Sequence, residues 1–319
     1  MEKIPKLSVI IPVFNELENI IPLYSELKET LKILTSKKII NSYEIIFVND
    51  GSRDGSSQIL KEVGKEDPFL VNIELRRNFG QTPALKAGFD YCTGDFIVTM
   101  DGDLQSDPKD IPRLIQKINE GYDVVSGWRY KRRDTFFKRF FSRVINNLRM
   151  NLIGDKLHDY GCSLKIYRRE CIKDLELFGE LHRYITAYLY VKGYKIGELK
   201  VNHRPRKYGR TKYSFKRGIN GILDLFYLKF WADYSNRPLH FFGRLGIYQW
   251  FLAFIIIIEQ IVKAYILQKL ELGPLLMLSA VLGISGLLFI IFGFLSEIVT
   301  RVYFTNQKSI YNIKGISKR

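Results

Sequence analysis

The sequence predicts an α/β fold with a mostly parallel sheet, followed by a pair of long apolar helices. Up to residue 126, short apolar runs rich in β-branched residues alternate with amphipathic segments of helical length. This alternation is typical of a parallel sheet that helices cover on both faces. Between residues 245 and 295, two long apolar stretches follow each other, and stretches of this length are typical of membrane-spanning helices.

The elements of the predicted sheet follow from hydrophobic periodicity. Continuous apolar runs predict buried strands, and the segments between them repeat apolar residues at helical spacing. The predicted strands cover residues 7–13, 43–48, 71–75, 95–100 and 123–126, and the predicted helices cover residues 18–34, 55–66, 83–91 and 110–119. Ligands of such sheets bind at the carboxyl ends of the strands. Asp50 and Asp101, which follow strands, are therefore candidate site residues.

The last third of the chain predicts a membrane hairpin. Residues 274–296 carry no charge, and a helix of that length would be about 34 Å long, enough to cross a hydrocarbon core of about 30 Å. A second span covers residues 241–264, with Glu259 near its far end. A short loop at residues 268–273 joins the two predicted spans.

Basic residues flank the predicted hairpin. Residues 213–234 interleave aromatic residues with Lys216, Arg217 and Lys229, which is typical of an amphipathic helix on a membrane surface, although a solvated basic helix is the alternative. The predicted organisation is a globular domain at 1–212, interfacial helices at 213–238, two transmembrane helices at 239–300 and a basic tail at 301–319. The positive-inside rule then places both ends of this multi-pass protein, and the globular domain, in the cytosol.

The formal net charge of the chain is +16, which indicates an anionic partner. Because the chain also carries membrane segments, lipid headgroups and phosphates are favoured over nucleic acid. A non-enzymatic protein that binds a membrane surface or nucleic acid remains the competing class. The sequence leaves the oligomeric state open, a homo-oligomer included.

The strongest local motif is Asp101-Gly102-Asp103-Leu104-Gln105 at the end of a predicted strand. Two carboxylates one residue apart can share a hard divalent cation such as Mg²⁺ or Mn²⁺, with the Gln105 oxygen as a further ligand. Such an ion would neutralise charge on a diphosphate leaving group. An EF-hand is excluded because Ser106 and Pro112 stand where that loop needs Gly and Glu. An acidic turn without function is the other alternative.

Polar residues follow the neighbouring strands as well. Asp50 can accept from a nucleobase or ribose, and Glu16 can bind ribose in the same cleft, although Asp-Gly is a common turn and an acid favours a helix start. Arg77 follows the third strand, at the same predicted edge of the sheet. The run at 204–212 is rich in phosphate-type donors such as Arg206 and Lys212. A basic loop that contacts the membrane is the alternative for that run.

Taken together, these segments resemble glycosyltransferase family 2, and within it the polyprenyl-phosphate glycosyltransferases. The segments that carry the resemblance are V-I-I-P-V-F-N-E (9–16), V-N-D-G-S (48–52), R-N-F-G-Q (77–81), D-G-D-L-Q (101–105), D-Y-G-C-S-L-K (159–165) and R-K-Y-G-R-T-K (206–212). The last of these has Thr211 where the family usually has Ser. The resemblance covers residues 7–212, and the two-helix tail also suits this group.

The resemblance implies a GT-A fold and an inverting transfer of a single sugar, since the Q-x-x-R-W motif of processive members is missing from the sequence. It implies donor contacts from Pro12, Glu16, Asp50, Arg77, Asp101, Arg206 and Lys212, a metal site of Asp101, Asp103 and Gln105, and acceptor-phosphate contacts from Arg129 and Arg143. Related enzymes have a proposed base at the position of Asp159. A lipid phosphate monoester is largely dianionic at neutral pH because its second pKa is about 6, so Asp159 can instead orient a basic side chain or the sugar.

Within this group the resemblance is closest to the bacterial bactoprenol glucosyltransferases, which implies transfer of glucose from UDP-glucose to polyprenyl phosphate at the cytosolic membrane face. Nothing in the residues alone selects the sugar. GDP-mannose and another UDP-sugar therefore remain alternative donors. A soluble transferase that acts on protein is disfavoured by the apolar hairpin.

Overall fold

The structure is a computed structural model of the chain. It describes residues 4–130, 150, 153–154, 157–173, 175, 177, 179, 181–208, 216–235, 237–268 and 273–305. The chain forms two compact units, Met1–Phe226 and Tyr227–Arg319. The first unit contains the sheet, and the second contains a pair of long helices.

The first unit is built on a seven-stranded sheet of order β3-β2-β1-β4-β6-β5-β7. β1 pairs in parallel with β2 and β4, β2 with β3, and β5 with β7, whereas β6 runs antiparallel to both β4 and β5. The predicted α/β class with a mostly parallel sheet is thus confirmed. The strands are β1 Lys6–Val13, β2 Ser42–Asn49, β3 Leu70–Glu74, β4 Phe96–Thr99, β5 Val124–Trp128, β6 Lys165–Arg168 and β7 Ile196–Lys200.

Helices lie on both faces of the sheet, as the alternation of elements predicts. In β1, Val9 and Ile11 are fully buried in the main core together with leucines of α1, whereas Ile10 faces α3. A Cβ on Gly88 of α3 would lie 2.3 Å from Ile10 Cγ2, so glycine lets this helix approach the sheet closely. The helices of this unit with described bounds are α1 Leu17–Ser36, α2 Ser56–Glu66, α3 Gln81–Tyr91, α4 Ile111–Ile118, α5 Arg169–Lys173 and α6 Ile185–Val191.

Three further helices follow: α7 Lys216–Tyr234, α8 Pro238–Leu267 and α9 Pro274–Thr305. The last two confirm the predicted pair of long apolar helices, although each extends beyond its predicted bounds. Both are long and apolar enough to cross a bilayer, and only 11% of the residues in each apolar window are buried inside the structure. A core helix of a soluble domain would be mostly buried instead.

Small residues bring α8 and α9 into close contact. A Cβ on Gly246 would lie 2.5 Å from the carbonyl oxygen of Gly286, so only glycine fits at this crossing. Nearby, the indole N–H of Trp250 donates to the carbonyl oxygen of Gly283 at 2.8 Å. Close backbone approach at glycines, with a polar side chain bonded across the interface, is typical of helix pairs in membranes.

Candidate active site

The turns after β1 and β2 are joined at the carboxyl edge of the sheet. The backbone N–H of Asn15 donates to Ser52 Oγ (2.9 Å), and the backbone N–H of Arg53 donates to Asn15 Oδ1 (2.8 Å). Gly51 has a φ of +68°, and a Cβ on it would lie 2.4 Å from the carbonyl carbon of Arg77. Only glycine therefore lets the turn after β2 lie against the loop after β3.

Asp50, which is 3% exposed, holds the loop after β3 in place. Its carboxylate accepts from the backbone N–H groups of Phe79 (2.7 Å) and Gly80 (2.9 Å) and from Asn78 Nδ2 (2.9 Å). Burial raises the pKa of the Asp50 carboxyl, and these backbone hydrogen bonds oppose the shift. Arg77 is exposed in the same loop, with its guanidinium carbon 4.2 Å from the centroid of the Phe79 ring.

The Asp101–Gln105 turn follows β4 at the same edge of the sheet. Leu104 adopts a left-handed φ of +62°, which bends the chain between Asp103 and Gln105. The backbone N–H of Gln105 donates to Asp103 Oδ1 (3.1 Å), and Gln81 Nε2 donates to Asp101 Oδ1 (2.8 Å). Burial, together with the like charge of Asp103, raises the pKa of the Asp101 carboxyl. The turn thus concentrates negative charge and oxygen donors.

A segment beyond β7 runs alongside this acidic turn. Ser106 and His203 form an antiparallel bridge, and the backbone N–H of Arg204 donates to the carbonyl oxygen of Gln105 (2.8 Å). Gln105 Nε2 donates to the carbonyl oxygen of Arg204 at 3.4 Å. The residues after His203 are therefore positioned by backbone pairing to the turn itself.

Arg206 connects two of the predicted site carboxylates. Its Nη2 donates to Asp103 Oδ2 at 2.7 Å, and its Nη1 lies 3.5 Å from Glu16 Oε1. Asp103 is 6% exposed, so this ion pair is shielded from water. Glu16 also accepts from Asn19 Nδ2 at 2.6 Å. The structure thus brings together two predicted donor contacts, Glu16 and Arg206, and the predicted metal ligand Asp103.

A second ion pair lies after β5. Arg129 Nε and Nη2 donate to the two carboxylate oxygens of Asp159 at 2.7 and 2.8 Å, and the Arg129 backbone N–H donates to Asp159 Oδ2 at 3.1 Å. Asp159 also accepts from the backbone N–H of Gly161 at 3.1 Å, and its own N–H donates to Glu198 Oε1 at 3.0 Å. Asp159 therefore fixes both the backbone and the guanidinium of Arg129. Despite the burial of Arg129, the ion pair raises its pKa.

Sequence reasoning assigned no role to two residues beside this pair. Lys165 is 3% exposed at the start of β6, with its Nζ 3.2 Å from the carbonyl oxygen of Tyr160, and burial lowers its pKa. Glu198 of β7 accepts from the backbone N–H groups of His158 and Asp159. The signal for Lys165 was a charged residue at the end of the D-Y-G-C-S-L-K segment. Glu198 has no local signal, because its partners lie 39 and 40 residues away.

Other predicted residues lie around these pairs or outside the described residues. Pro12 pairs in register with Val48, and its carbonyl oxygen would lie 3.3 Å from a Cβ on Gly102, so it borders the acidic turn. Arg143 and Lys212 fall among the residues that the structure does not describe.

The oxygen-rich turn is the candidate place for a metal ion. Among the described residues, no group of three or more His, Cys, Asp or Glu side chains is arranged to hold an ion. Asp101, Asp103 and Gln105 nevertheless offer hard oxygen donors of the kind that Mg²⁺ and Mn²⁺ prefer. These residues fit an ion that takes its remaining ligands from a diphosphate or water.

The sheet order and the acidic turn after β4 are those of the GT-A fold. Solved structures with this fold include glucosyl-3-phosphoglycerate synthase from Mycobacterium tuberculosis in complex with Mn²⁺, UDP and glucosyl-3-phosphoglycerate. The chain is similar to it at a TM-score of 0.53 and 16% identity, over 72% of this chain and 80% of that one. A complex of the same synthase with Mn²⁺, UDP-glucose and phosphoglyceric acid gives a TM-score of 0.54, with 70% and 80% of the chains covered.

The family model described as glycosyl transferase family 2 matches residues 8–176, and the chain belongs to this family. Two curated relatives cover almost the whole chain. Dodecaprenyl-phosphate galacturonate synthase of Rhizobium johnstonii is 40% identical over 95% of this chain and 90% of that protein. Undecaprenyl-phosphate 4-deoxy-4-formamido-L-arabinose transferase of an Enterobacter species is 36% identical over the same shares.

Proposed function

We propose that this glycosyltransferase moves one sugar from a nucleoside diphosphate donor to polyprenyl phosphate, with inversion at the anomeric carbon. The observation that carries the proposal is the carboxyl edge of the sheet, where Arg206 contacts Asp103 and Asp159 holds Arg129. One pair supplies contacts for a donor diphosphate, and the other presents a guanidinium for a second phosphate. The names of both curated relatives combine a polyprenyl phosphate with a sugar.

The donor half of the site is formed by the first four strand ends. Glu16 and Asp50 contact the nucleoside in this proposal. Asp50 acts in part by holding the loop after β3 in place through the backbone N–H groups of Phe79 and Gly80. Arg206 binds the donor phosphates, and so does Lys212. Asp101, Asp103 and Gln105 would hold Mg²⁺ or Mn²⁺, which when bound neutralises charge on the departing diphosphate.

The acceptor half is organised by Arg129. A phosphate oxygen of the acceptor forms the new bond to the anomeric carbon while the bond from that carbon to the diphosphate breaks, and the nucleoside diphosphate leaves. The attacking phosphate is already largely dianionic, so it needs positioning and charge compensation more than proton removal. Asp159 is negatively charged and does not itself bind the phosphate in this proposal. Its role is to fix the guanidinium of Arg129 for this contact. Arg143 is the second proposed contact.

Asp159 can be tested as a positioning residue by separating stability from chemistry. The Arg129–Asp159 pair has side chains that are 16% and 6% exposed, and removing one partner of a buried pair costs about 3–5 kcal/mol. We expect Asp159→Ala and Arg129→Ala each to lower the melting temperature by about 10 °C. The double variant should lose less than the sum, because neither charge is left buried alone.

The kinetic readout completes this test. If Asp159 positions Arg129, Asp159→Ala raises the KM for polyprenyl phosphate as well as lowering kcat, and Arg129→Ala shows the same split. If Asp159 acts as a base, kcat falls alone and the acceptor KM is unchanged. Asp90→Ala, on the exposed Lys86–Asp90 pair of α3, removes a charge elsewhere and should leave both constants unchanged.

The donor sugar is the finer question. The expected donor was UDP-glucose, whereas the curated relatives are named for galacturonate and 4-deoxy-4-formamido-L-arabinose. The 40% identity to the first relative favours galacturonate as the sugar to test beside glucose. Purified protein should be incubated with undecaprenyl phosphate and each radiolabelled donor, including UDP-glucose, UDP-galacturonate, UDP-linked formamido-arabinose and GDP-mannose. The label that enters the lipid extract identifies the sugar, and label in no extract contradicts the proposal.

The protein acts at the membrane in this proposal. Helices α8 and α9 form the spanning hairpin, and α7 lies on the surface where the lipid phosphate is found. The positive flanks support a cytosolic position for the catalytic unit and for both chain ends. A single cysteine added within residues 306–319 should react with a membrane-impermeant maleimide only after the cells are opened. Labelling of intact cells would mean an inverted hairpin or a single span.

A further inference from the structure

The hairpin unit contains a cavity of about 330 Å³, open on one side, at the end where α8 begins and α9 ends. Its lining combines two kinds of side chain. Arg237, His240 and Arg301 bring basic groups, and Glu297 brings one carboxylate, whose Oε1 lies 3.7 Å from Arg301 Nε. Apolar side chains complete the lining, among them Phe294 and Ile298. At neutral pH two arginines face one glutamate, so the lining carries a net positive charge.

The two kinds of lining together select a class of ligand. A free inorganic anion would use the basic groups but gain nothing from Phe294 and Ile298. An acyl chain alone would use the apolar side chains but leave the net positive charge of the lining uncompensated. A lipid with an anionic phosphate head matches both parts, because its phosphate binds guanidinium donors and its chain packs on apolar carbon.

We propose that this cavity binds the phosphate headgroup of an anionic glycerophospholipid from the surrounding bilayer. The volume is near the lower end of the range of about 300–1,000 Å³ that ligand sites occupy. It therefore holds a phosphoglycerol head, while the acyl chains extend along the apolar surface of the hairpin. The inference rests on the hairpin lying in the membrane, as the proposed function has it. Such a lipid would hold the ends of α8 and α9 together at the interface.

Arg237→Gln tests the site, and Arg244→Gln is its matched control. Both arginines are exposed on or next to α8, but Arg244 does not line the cavity. The full-length chain is reconstituted in vesicles of equal parts phosphatidylglycerol and phosphatidylcholine, then extracted in mild detergent and examined by native mass spectrometry. We expect the wild type and Arg244→Gln to retain phosphatidylglycerol. Arg237→Gln should retain about five-fold less, the effect of one basic group near an anionic lipid.

Ile298→Asn tests the apolar half of the site without changing charge. It should also lower retention of phosphatidylglycerol, whereas binding of inorganic phosphate would not depend on this side chain. Equal loss in Arg237→Gln and Arg244→Gln would show general surface attraction and overturn the proposal. So would retention of phosphatidylcholine in place of phosphatidylglycerol, or release of phosphatidylglycerol by added undecaprenyl phosphate, which would make the cavity an acceptor site.

Failure of this site can be told from failure of the membrane assignment. Flotation of the wild-type protein with the same vesicles reports whether the hairpin inserts. If the protein does not float, the membrane location in the proposed function is wrong, and this inference falls with it. If it floats but its retained lipid does not depend on Arg237, only the lipid site is wrong.

Discussion

Replacing Arg206 with glutamine should strengthen metal binding at the site while it weakens donor binding. In the structure Arg206 Nη2 lies 2.7 Å from Asp103 Oδ2, and the side chains are 23% and 9% exposed. The guanidinium thus compensates a carboxylate that we assign to the metal. A divalent ion must compete with Arg206 for this oxygen when no nucleotide is bound.

The size of the effect follows from this contact. A hydrogen bond to a charged group contributes about 1.5–3 kcal/mol, and both side chains are buried enough that water screens the pair only in part. Loss of the competing guanidinium should therefore raise the affinity for Mn²⁺ by about 10- to 100-fold without nucleotide. In the presence of donor the sign reverses, because Arg206 then leaves Asp103 to bind the diphosphate.

Two titrations measure these opposite effects. The spectrum of free Mn²⁺ by electron paramagnetic resonance gives the metal affinity of the full-length protein without nucleotide, and calorimetry with UDP at saturating Mn²⁺ gives the nucleotide affinity. Arg204→Gln is the control. It removes the same charge two residues away, from a side chain that pairs with Glu26 and Asp107 and not with Asp103. Unchanged or weaker Mn²⁺ binding by Arg206→Gln would refute the competition.

Three further substitutions test the loops, the sheet and the acceptor site. Gly51→Ala should lower the free energy of unfolding by more than the about 1–2 kcal/mol expected for Gly121→Ala, since both glycines have positive φ but only Gly51 meets the backbone of Arg77. Glu44→Gln should make unfolding less sensitive to acid. Burial raises the pKa of the Glu44 carboxyl, but the hydrogen bonds that it accepts outweigh burial and lower the pKa. The ionised carboxylate therefore stabilises the wild-type fold, and this stabilisation is lost as the pH falls through the lowered pKa. Arg143→Lys should lower transfer sharply while vesicle binding stays normal, because lysine keeps the charge but not the two-pronged donor.

Each of these three predictions would be contradicted by a particular result. Equal destabilisation by the two alanines in thermal unfolding would mean that the contact between the turns relaxes freely. An unchanged acid transition in Glu44→Gln would remove that carboxylate from the pH dependence. Normal transfer by Arg143→Lys, or loss in proportion to vesicle binding, would make Arg143 a membrane contact.

Strands that read as apolar runs were predictable, and strands with charged residues were not. Five of the seven strands match predicted runs to within two residues. The sequence did not predict β6 and β7, because both strands are short and carry charged residues. β6 has four residues and begins and ends with a basic one, and β7 has five residues, among them Glu198 and Lys200. Both strands pair with β5, and hydrophobic periodicity within a short segment does not predict pairing with a strand that is distant in the sequence.

The candidate site shows the same division between local and distant information. Asp101 and Asp103 could be placed at a sheet edge because a strand and a D-x-D spacing occur together. The spacing of residues does not indicate which cation pairs with which carboxylate. Arg206 lies 103 residues from its partner Asp103, and Arg129 lies 30 residues from its partner Asp159. The resemblance therefore supplied Arg206 and Arg129 as phosphate contacts, but spacing did not indicate which carboxylates these cations pair with.

The distribution of those cations indicates where the site still demands positive charge. Asp159 has Arg129, and Asp103 shares Arg206 with Glu16. Asp101 accepts a hydrogen bond from the neutral amide of Gln81. Burial and the like charge of Asp103 raise the pKa of Asp101, and the charges of Arg129 and Lys165 oppose this shift. A cation that enters this edge is attracted by the two carboxylates of one turn, Asp101 and Asp103. The acidic turn therefore concentrates negative charge where a metal ion and a diphosphate would meet in the proposed function.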